Sequence, residues 1–377
     1  MTKPTETTES ISLSHQASIW QSSWVNTAGR FVALLVVFLF FAVLVEDGKF
    51  YSARNLENIL RQSAVYATAA LGMTMVIIAA GIDLSIGSII ALTVVVVAWV
   101  LNLDYLAAGA EGGQPEAVYL IYRWPVLLPL VAVATAVAVA TLAGLCNGAL
   151  IVGLRLVPFI VTLGTMLVFR GLAKGIADER YITPPEGTWV ARIMDPTLAP
   201  WINRLTGNSD AAPSGLDWFF LPVGVWILGL AAVFAALLLR YTRLGRHIFA
   251  VGSNEETARL CGVPVGRTKI IVYALAGMFA GLAGLMQFSF IDGFGQPTTA
   301  VSYELHVIAA VVIGGGSLMG GEGSILGSVI GALIITILNM GGQQMDWPKW
   351  VQEIVVGGII IAAVTLDRLR HRRLRLF

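Results

Sequence analysis

Long uncharged stretches recur along nearly the whole chain. Between Gln62 and Leu103 the only charged side chain is Asp83, and Trp124–Leu154, Trp218–Leu239, Ile270–Ile291 and Gly323–Met345 carry none. A helix rises about 1.5 Å per residue, so about 20 apolar residues cross the hydrocarbon of a bilayer. Five stretches of that length, with shorter ones around them, predict a polytopic helical membrane protein. Spans are expected near 27–45, 63–80, 84–101, 125–153, 158–176, 218–239, 270–290, 304–320, 323–340 and 350–366. The pairs 63–101 and 304–340 each read as two full spans or as a re-entrant pair with a broken centre. Broken backbone at membrane depth is tolerated only where protein or water satisfies it.

Composition agrees: the 377 residues are 56% hydrophobic and 12% charged, against about 25% charged in a soluble domain. The net charge of +1 matters less than where the charges lie. The 240–269 loop holds Arg240, Arg243, Arg246, Arg259, Arg267 and Lys269, and the C-terminal segment holds Arg368, Arg370, Arg372, Arg373 and Arg375. Lys/Arg-rich loops stay in the cytoplasm. The expected fold is therefore all-α, a polytopic bundle of about ten spans with one or two broken or re-entrant helices and both termini cytoplasmic. Its expected organisation is a disordered tail (1–25), one transmembrane domain (26–367) and a basic tail (368–377). The tail is either a topology anchor or a patch for anionic lipid or nucleic acid; no nucleic-acid partner is expected. The 240–269 loop would face inward, and the 177–217 segment, with more acids than bases, outward. Cys146 in an apolar stretch and Cys261 in the basic loop make neither a disulfide framework nor a metal cluster, so no metal or cofactor is expected.

Three places carry candidate chemistry. In 245–269, Ser253 and Glu256 form an S-x-x-E capping box, Gly262 sits where a left-handed C-terminal residue belongs, and Pro264 stops any continuation. The two-turn helix between them is marginal alone in water. It packs either on this protein's own surface or into a partner. In "AAGIDLSIGS", Asp83 lies among glycines with Ser85 and Ser88 nearby. It either lines a path near an inner gate or caps a helix restarting at Leu84, and the two roles are compatible. "GGGSLMGGEGS" (314–324) repeats that design with Ser317 and Glu322. It is no phosphate cradle, since the chain has no G-x-x-x-x-G-K-[S/T]. Arg170 and Lys174, one turn apart, either contact solute or a partner or snorkel to headgroups. Further candidates for a polar path are Thr74, Asn147, Thr162, Thr165, Gln287, Ser289 and Asn339. The pairs Gly144/Gly148, Gly171/Gly175, Gly277/Gly281 and Gly327/Gly331 permit close helix packing.

"TRLGRHIFAVGSNEETARLCGVPVGRTKIIVYALAG" (242–277), "LGMTMVIIAAGIDLSIGSIIALT" (71–93), "VPFIVTLGTMLVFRGLA" (157–173) and "YELHVIAAVVIGGGSLMGGEGSILGSVIGAL" (303–333) resemble blocks of ABC-importer permeases of the ribose type, in order over about 60–365. The resemblance implies a dimeric pore of two copies or two paralogues in the bacterial inner membrane. Cytoplasmic ATPase subunits would drive it, and a periplasmic sugar-binding protein would feed it with a small sugar. It maps a coupling helix onto Asn254, Glu255, Glu256, Thr257, Ala258, Arg259, Leu260 and Cys261. His306 departs from it, standing where many relatives carry Asp, with Glu304 retained beside it.

The expected function is thus a non-catalytic permease subunit importing a monosaccharide by alternating access. An ion-coupled secondary transporter is the alternative, for which Asp83 alone would serve. An intramembrane enzyme lacks any nucleophile–base pair within the spans.

Overall fold

The computed structural model describes residues 23–107, 116–197 and 220–374. Its α-helices of six residues or more are α1 (Ser23–Leu44), α2 (Ala53–Ile78), α3 (Ile86–Leu101), α4 (Leu127–Gly153), α5 (Pro158–Ile176), α6 (Val223–Tyr241), α7 (Arg243–Ser253), α8 (Glu255–Leu260), α9 (Val265–Phe290), α10 (Tyr303–Ile313), α11 (Ile325–Gln344) and α12 (Lys349–Leu374). Five of them, α4, α5, α6, α9 and α11, are long and apolar enough to cross a membrane.

α2 is the axis of the bundle. Its first turns carry Arg54, Glu57 and Arg61, but every residue from Ser63 to Ile78 is buried. A helix apolar on all sides has to be covered on all sides, and α9, α11, α10 and α6 cover this one. α9 packs in turn on α4. A Cβ on Gly144 would land on the Tyr273 carbonyl, and one on Gly277 would land on the Ala140 carbonyl. Only glycine lets these two backbones touch. Gly171 and Gly175 have nothing within 4 Å, so that pair serves no packing inside this chain.

The fold is all-α as expected, with one four-residue strand pair in which Asp104–Ala107 lies antiparallel to Glu116–Tyr119. Other expectations need correcting. The span expected over 304–320 is a half-length helix. α10 ends at Ile313, and its 11 residues reach about 16 Å. Gly315 then takes φ +85°, and the segment 314–324 turns back into α11. α1 begins at Ser23, inside the expected 1–25 tail, whose residues 1–22 lie outside the described residues. α12 runs through Arg368 to Leu374, so the basic segment continues a helix; 375–377 lie outside the description. Of the 177–217 segment, 198–217 lie outside it too.

One end of the bundle carries α7, α8 and the arginines around them, and is called here the basic end. The opposite end carries the hairpin and the 189–197 segment, which is stapled down where Gly224 N donates to the Ile193 carbonyl (3.0 Å) and Thr197 N to Glu57 Oε1 (2.5 Å).

Candidate functional site

At the basic end the chain leaves α6 through Thr242, whose hydroxyl accepts from Gly245 N at 3.1 Å and starts α7. Asn254 is extended (φ −161°, ψ 108°) and its Oδ1 accepts from Thr257 N at 2.8 Å. Asn254 therefore caps α8. The expected cap, Ser253, is the last residue of α7, and from a helical backbone it cannot aim its hydroxyl at the following turn. Glu255 and Glu256 sit among the free amides of the first turn, where the helix dipole favours them. Gly262 closes the far end at φ +81°, and Val263 N donates to the Ala258 carbonyl at 3.0 Å.

One face of α8 is held and the other is open. Ala258 is its buried residue and packs with Val251 and Val265. Glu255 is bonded to Lys269 Nζ at 2.6 Å and to Arg259 at 3.0 Å. Glu256, Thr257 and Arg259 are exposed, and Leu260 is 88% exposed. An apolar side chain that bare on a six-residue helix is a knob without a hole among the described residues.

Behind α8, the end of α7 touches the two breaks. A Cβ on Gly252 would land on the Ile78 carbonyl and come within 2.7 Å of Gly321 N. Gly321 N itself donates to that same Ile78 carbonyl at 2.8 Å. The end of α7, the end of α2 and the 314–324 turn therefore meet at one point.

The first break follows Ile78. Ala80 takes φ +58°, and Gly81 N donates to the Val76 carbonyl at 2.9 Å, which ends α2. Asp83 is 0% exposed. Its Oδ1 accepts from Ser85 N (2.9 Å) and Ser85 Oγ (2.6 Å). The helix restarts at Ile86, not Leu84, so Asp83 caps a turn before the helix rather than the helix itself. Asn147 of α4 donates to Ser85 Oγ at 2.7 Å. The Thr162 hydroxyl of α5 lies 3.2 Å from the Ile82 carbonyl and 3.0 Å from that of Pro158. The Tyr273 hydroxyl of α9 donates to Ile82 at 3.4 Å. Ser88 and Thr165 bond back to the carbonyls of Ser85 (2.7 Å) and Thr162 (3.3 Å). The break is thus a buried polar knot binding α4, α5 and α9. It is closed: a fully buried Asp83 lines no open path in this conformation.

The second break precedes α11. Ser324 caps it, accepting from Gly327 N at 3.0 Å, and Arg30 of α1 donates to the same hydroxyl at 3.0 Å. Glu322, expected at the restart, is exposed and lies two residues early. Ser317 is buried, and its Oγ accepts from Met319 N at 3.3 Å. The Thr74 and Ser328 hydroxyls pair at 2.6 Å, joining α2 to α11.

Towards the other end, the segment 291–302 runs into α10. Arg170 does not reach for headgroups. Its guanidinium spans the carbonyls of Thr299 (2.5 Å), Pro297 (3.2 Å) and Ala300 (3.4 Å), holding a turn in which Ala300 and Ser302 have positive φ. Lys174, one turn on, is exposed. Glu304 stands in the first turn of α10 beside Gly87, with Oε2 buried and unbonded. Gln287 donates to Thr299 Oγ1 (3.1 Å) and accepts from the Tyr303 hydroxyl (3.3 Å). Ser289 bonds to the Ala191 carbonyl and Met194 N, each at 2.8 Å. Both are therefore engaged inside the chain. His306 and Asn339 instead line a cavity of about 420 Å³ among α2, α10, α11 and α12.

Residue-by-residue reading missed Gly252, Tyr273, Arg30 and Ser324. Ser324 had a local signal, a serine directly before an apolar run. The others act across the fold and had none.

Residues 55–364 match the family model described as branched-chain amino acid transport system / permease component. The ribose import permease protein RbsC of Escherichia coli K12 is 35% identical over 355 residues, 93% of this chain and 96% of that protein. RbsC of Haemophilus influenzae is 35% identical over 89% of this chain and 91% of its own length. The xylose transport system permease protein XylH of Haemophilus influenzae is 33% identical over 91% and 96%. No solved structure matches.

Proposed function

The chain belongs to the branched-chain amino acid transport system / permease component family, with ribose and xylose import permeases among its relatives, and we propose that it is the membrane subunit of an ATP-driven monosaccharide importer. The observation that carries the reading is the three-way contact of Gly252, Ile78 and Gly321, which links an exposed six-residue helix to both breaks in the bundle.

In this reading, cytoplasmic ATPase subunits grip the open face of Asn254–Cys261 through Glu256, Arg259 and Leu260. Their closure moves α7 as a rod. Its tip presses on the Ile78 carbonyl and the 314–324 turn, shifting α3 and α10 relative to α2. The knot at Asp83, Ser85, Asn147 and Thr162, with Ser88, Thr165, Ser317 and Glu322 nearby, is the gate this motion opens. The basic end faces the cytoplasm, as the Lys/Arg distribution requires. That gives about ten crossings of the bacterial inner membrane, counting the re-entrant segments, with both termini on its cytoplasmic side. A periplasmic sugar-binding protein delivers solute at the hairpin end, near 177–217, Arg170, Lys174, Glu304 and His306. A second copy or a paralogue completes the pore. The chain makes and breaks no covalent bond; its work is conformational.

Reconstitution tests this. The permease should copurify with an ATPase, and sugar uptake into liposomes should need ATP and the soluble receptor. Replacing Glu256, Arg259 and Leu260 together by Ala should release the ATPase and abolish uptake. Uptake by the chain alone under an ion gradient would overturn the reading.

A further inference from the structure

The geometry points to a transit subsite for a neutral, polyhydroxylated solute of monosaccharide size in the cavity among α2, α10, α11 and α12. This inference rests on the importer reading and deepens it. Its volume of about 420 Å³ lies within the range, roughly 300–1,000 Å³, usual for small-molecule sites. Its walls carry Gln62, Tyr66, Tyr303, His306, Asn339 and Gln343.

The chemistry of those groups selects the occupant. His306 Nδ1 lies 3.1 Å from the Ser302 carbonyl, which can only accept. That pairing puts the proton of a neutral imidazole on Nδ1 and leaves Nε2 as an acceptor. An acceptor at the cavity wall favours a donor, and one left unmet is costly. Sugar hydroxyls donate; a carboxylate or a phosphodiester anion does not. Charge gives no other answer, since Lys349 and Glu353 both line the cavity and offset each other. The rings of Tyr66 and Tyr303, 4.6 Å apart and tilted at 53°, add an apolar wall against which the C–H face of a sugar ring can lie.

The subsite is also wired to the turn beyond it. Tyr303 donates to Gln287, Gln287 donates to Thr299, and the Thr299 carbonyl is held by Arg170. A solute lying on Tyr303 is three bonds from the guanidinium that fixes the start of α10. The soluble receptor would then not be the sole filter: His306 and Gln343 would form a second, weaker one within the membrane subunit.

The test uses the permease with its ATPase partner in nanodiscs, without receptor. Saturation-transfer NMR would be recorded with ribose, xylose, galactose and, as an anion without donors, dimethyl phosphate. At least one of the three sugars should show transfer and the phosphate none. His306→Phe, and separately Gln343→Leu at an exposed position of the wall, should weaken binding about threefold to tenfold each, the effect of losing one hydrogen bond, with the melting temperature retained. No transfer to any of the three sugars, equal transfer to the phosphate, or unchanged binding in both variants would overturn the subsite. ATP-driven uptake by the same complex with receptor reports separately. Uptake with a silent cavity defeats the subsite alone, whereas binding without ATP-driven uptake defeats the importer reading.

Discussion

The two oxygens of Asp83 lead different lives. Oδ1 takes two hydrogen bonds from Ser85, while Oδ2 is buried and unbonded, as is Asn147 Oδ1. Asp83→Ala would remove the acceptor and strand the amide and hydroxyl of Ser85 at about 1–3 kcal/mol. Asp83→Asn keeps an oxygen at the Oδ1 position and should cost less. Thermal denaturation of the three proteins in one detergent should rank them wild type, Asn, Ala, and an Ala variant as stable as wild type would show that the knot holds nothing. Arg170 makes the complementary point. Its planar fork meets three carbonyls at once, which a lysine, a point charge, cannot do.

At the scale of elements, the importer reading makes α7 and α8 one lever, and Gly252 at its tip leaves no room for a side chain. Gly252→Ala would drive a methyl group into the Ile78 carbonyl and Gly321, an overpacking that costs about 1–3 kcal/mol. It should uncouple the machine: ATP hydrolysis continues while sugar uptake falls, read by the ratio of the two rates. Gly229→Ala, with nothing within 4 Å, should leave that ratio unchanged. How far sequence could foresee these elements depended on what ends them. α5 was expected at 158–176 and runs Pro158–Ile176, because a proline opens it and Lys174 and Asp178 close the apolar run. α8 was expected one residue early at its start, since Ser253 and Asn254 are both good caps and only the backbone tells them apart. α10 was overextended because Gly314–Gly316 are uncharged, and hydropathy does not register a break made of glycine. The hairpin strands, four residues each, are too short for a period of two to stand out. The cavity pairs Gln62 with Gln343, far apart in sequence, so nothing local could announce it.

For the whole molecule, the covering of α2 contrasts with the bareness of the outer helices. Leu167 on α5 and Leu230 on α6 are 67% and 73% exposed, and Gly171 and Gly175 on α5 stand open. Such faces want hydrocarbon or another subunit. The importer reading requires that part of this surface meet a second permease subunit. Native mass spectrometry of the intact complex should therefore count two permease chains for each pair of ATPases, and a single chain would contradict it. One small feature governs how such a pair could behave. Because the amide of Gly321 is fastened to the same carbonyl that Gly252 abuts, a shift of either turn is passed to the other. Postures with one side ajar are thereby disfavoured. A pump built this way would seldom slip, and nearly every nucleotide spent would be matched by solute retained.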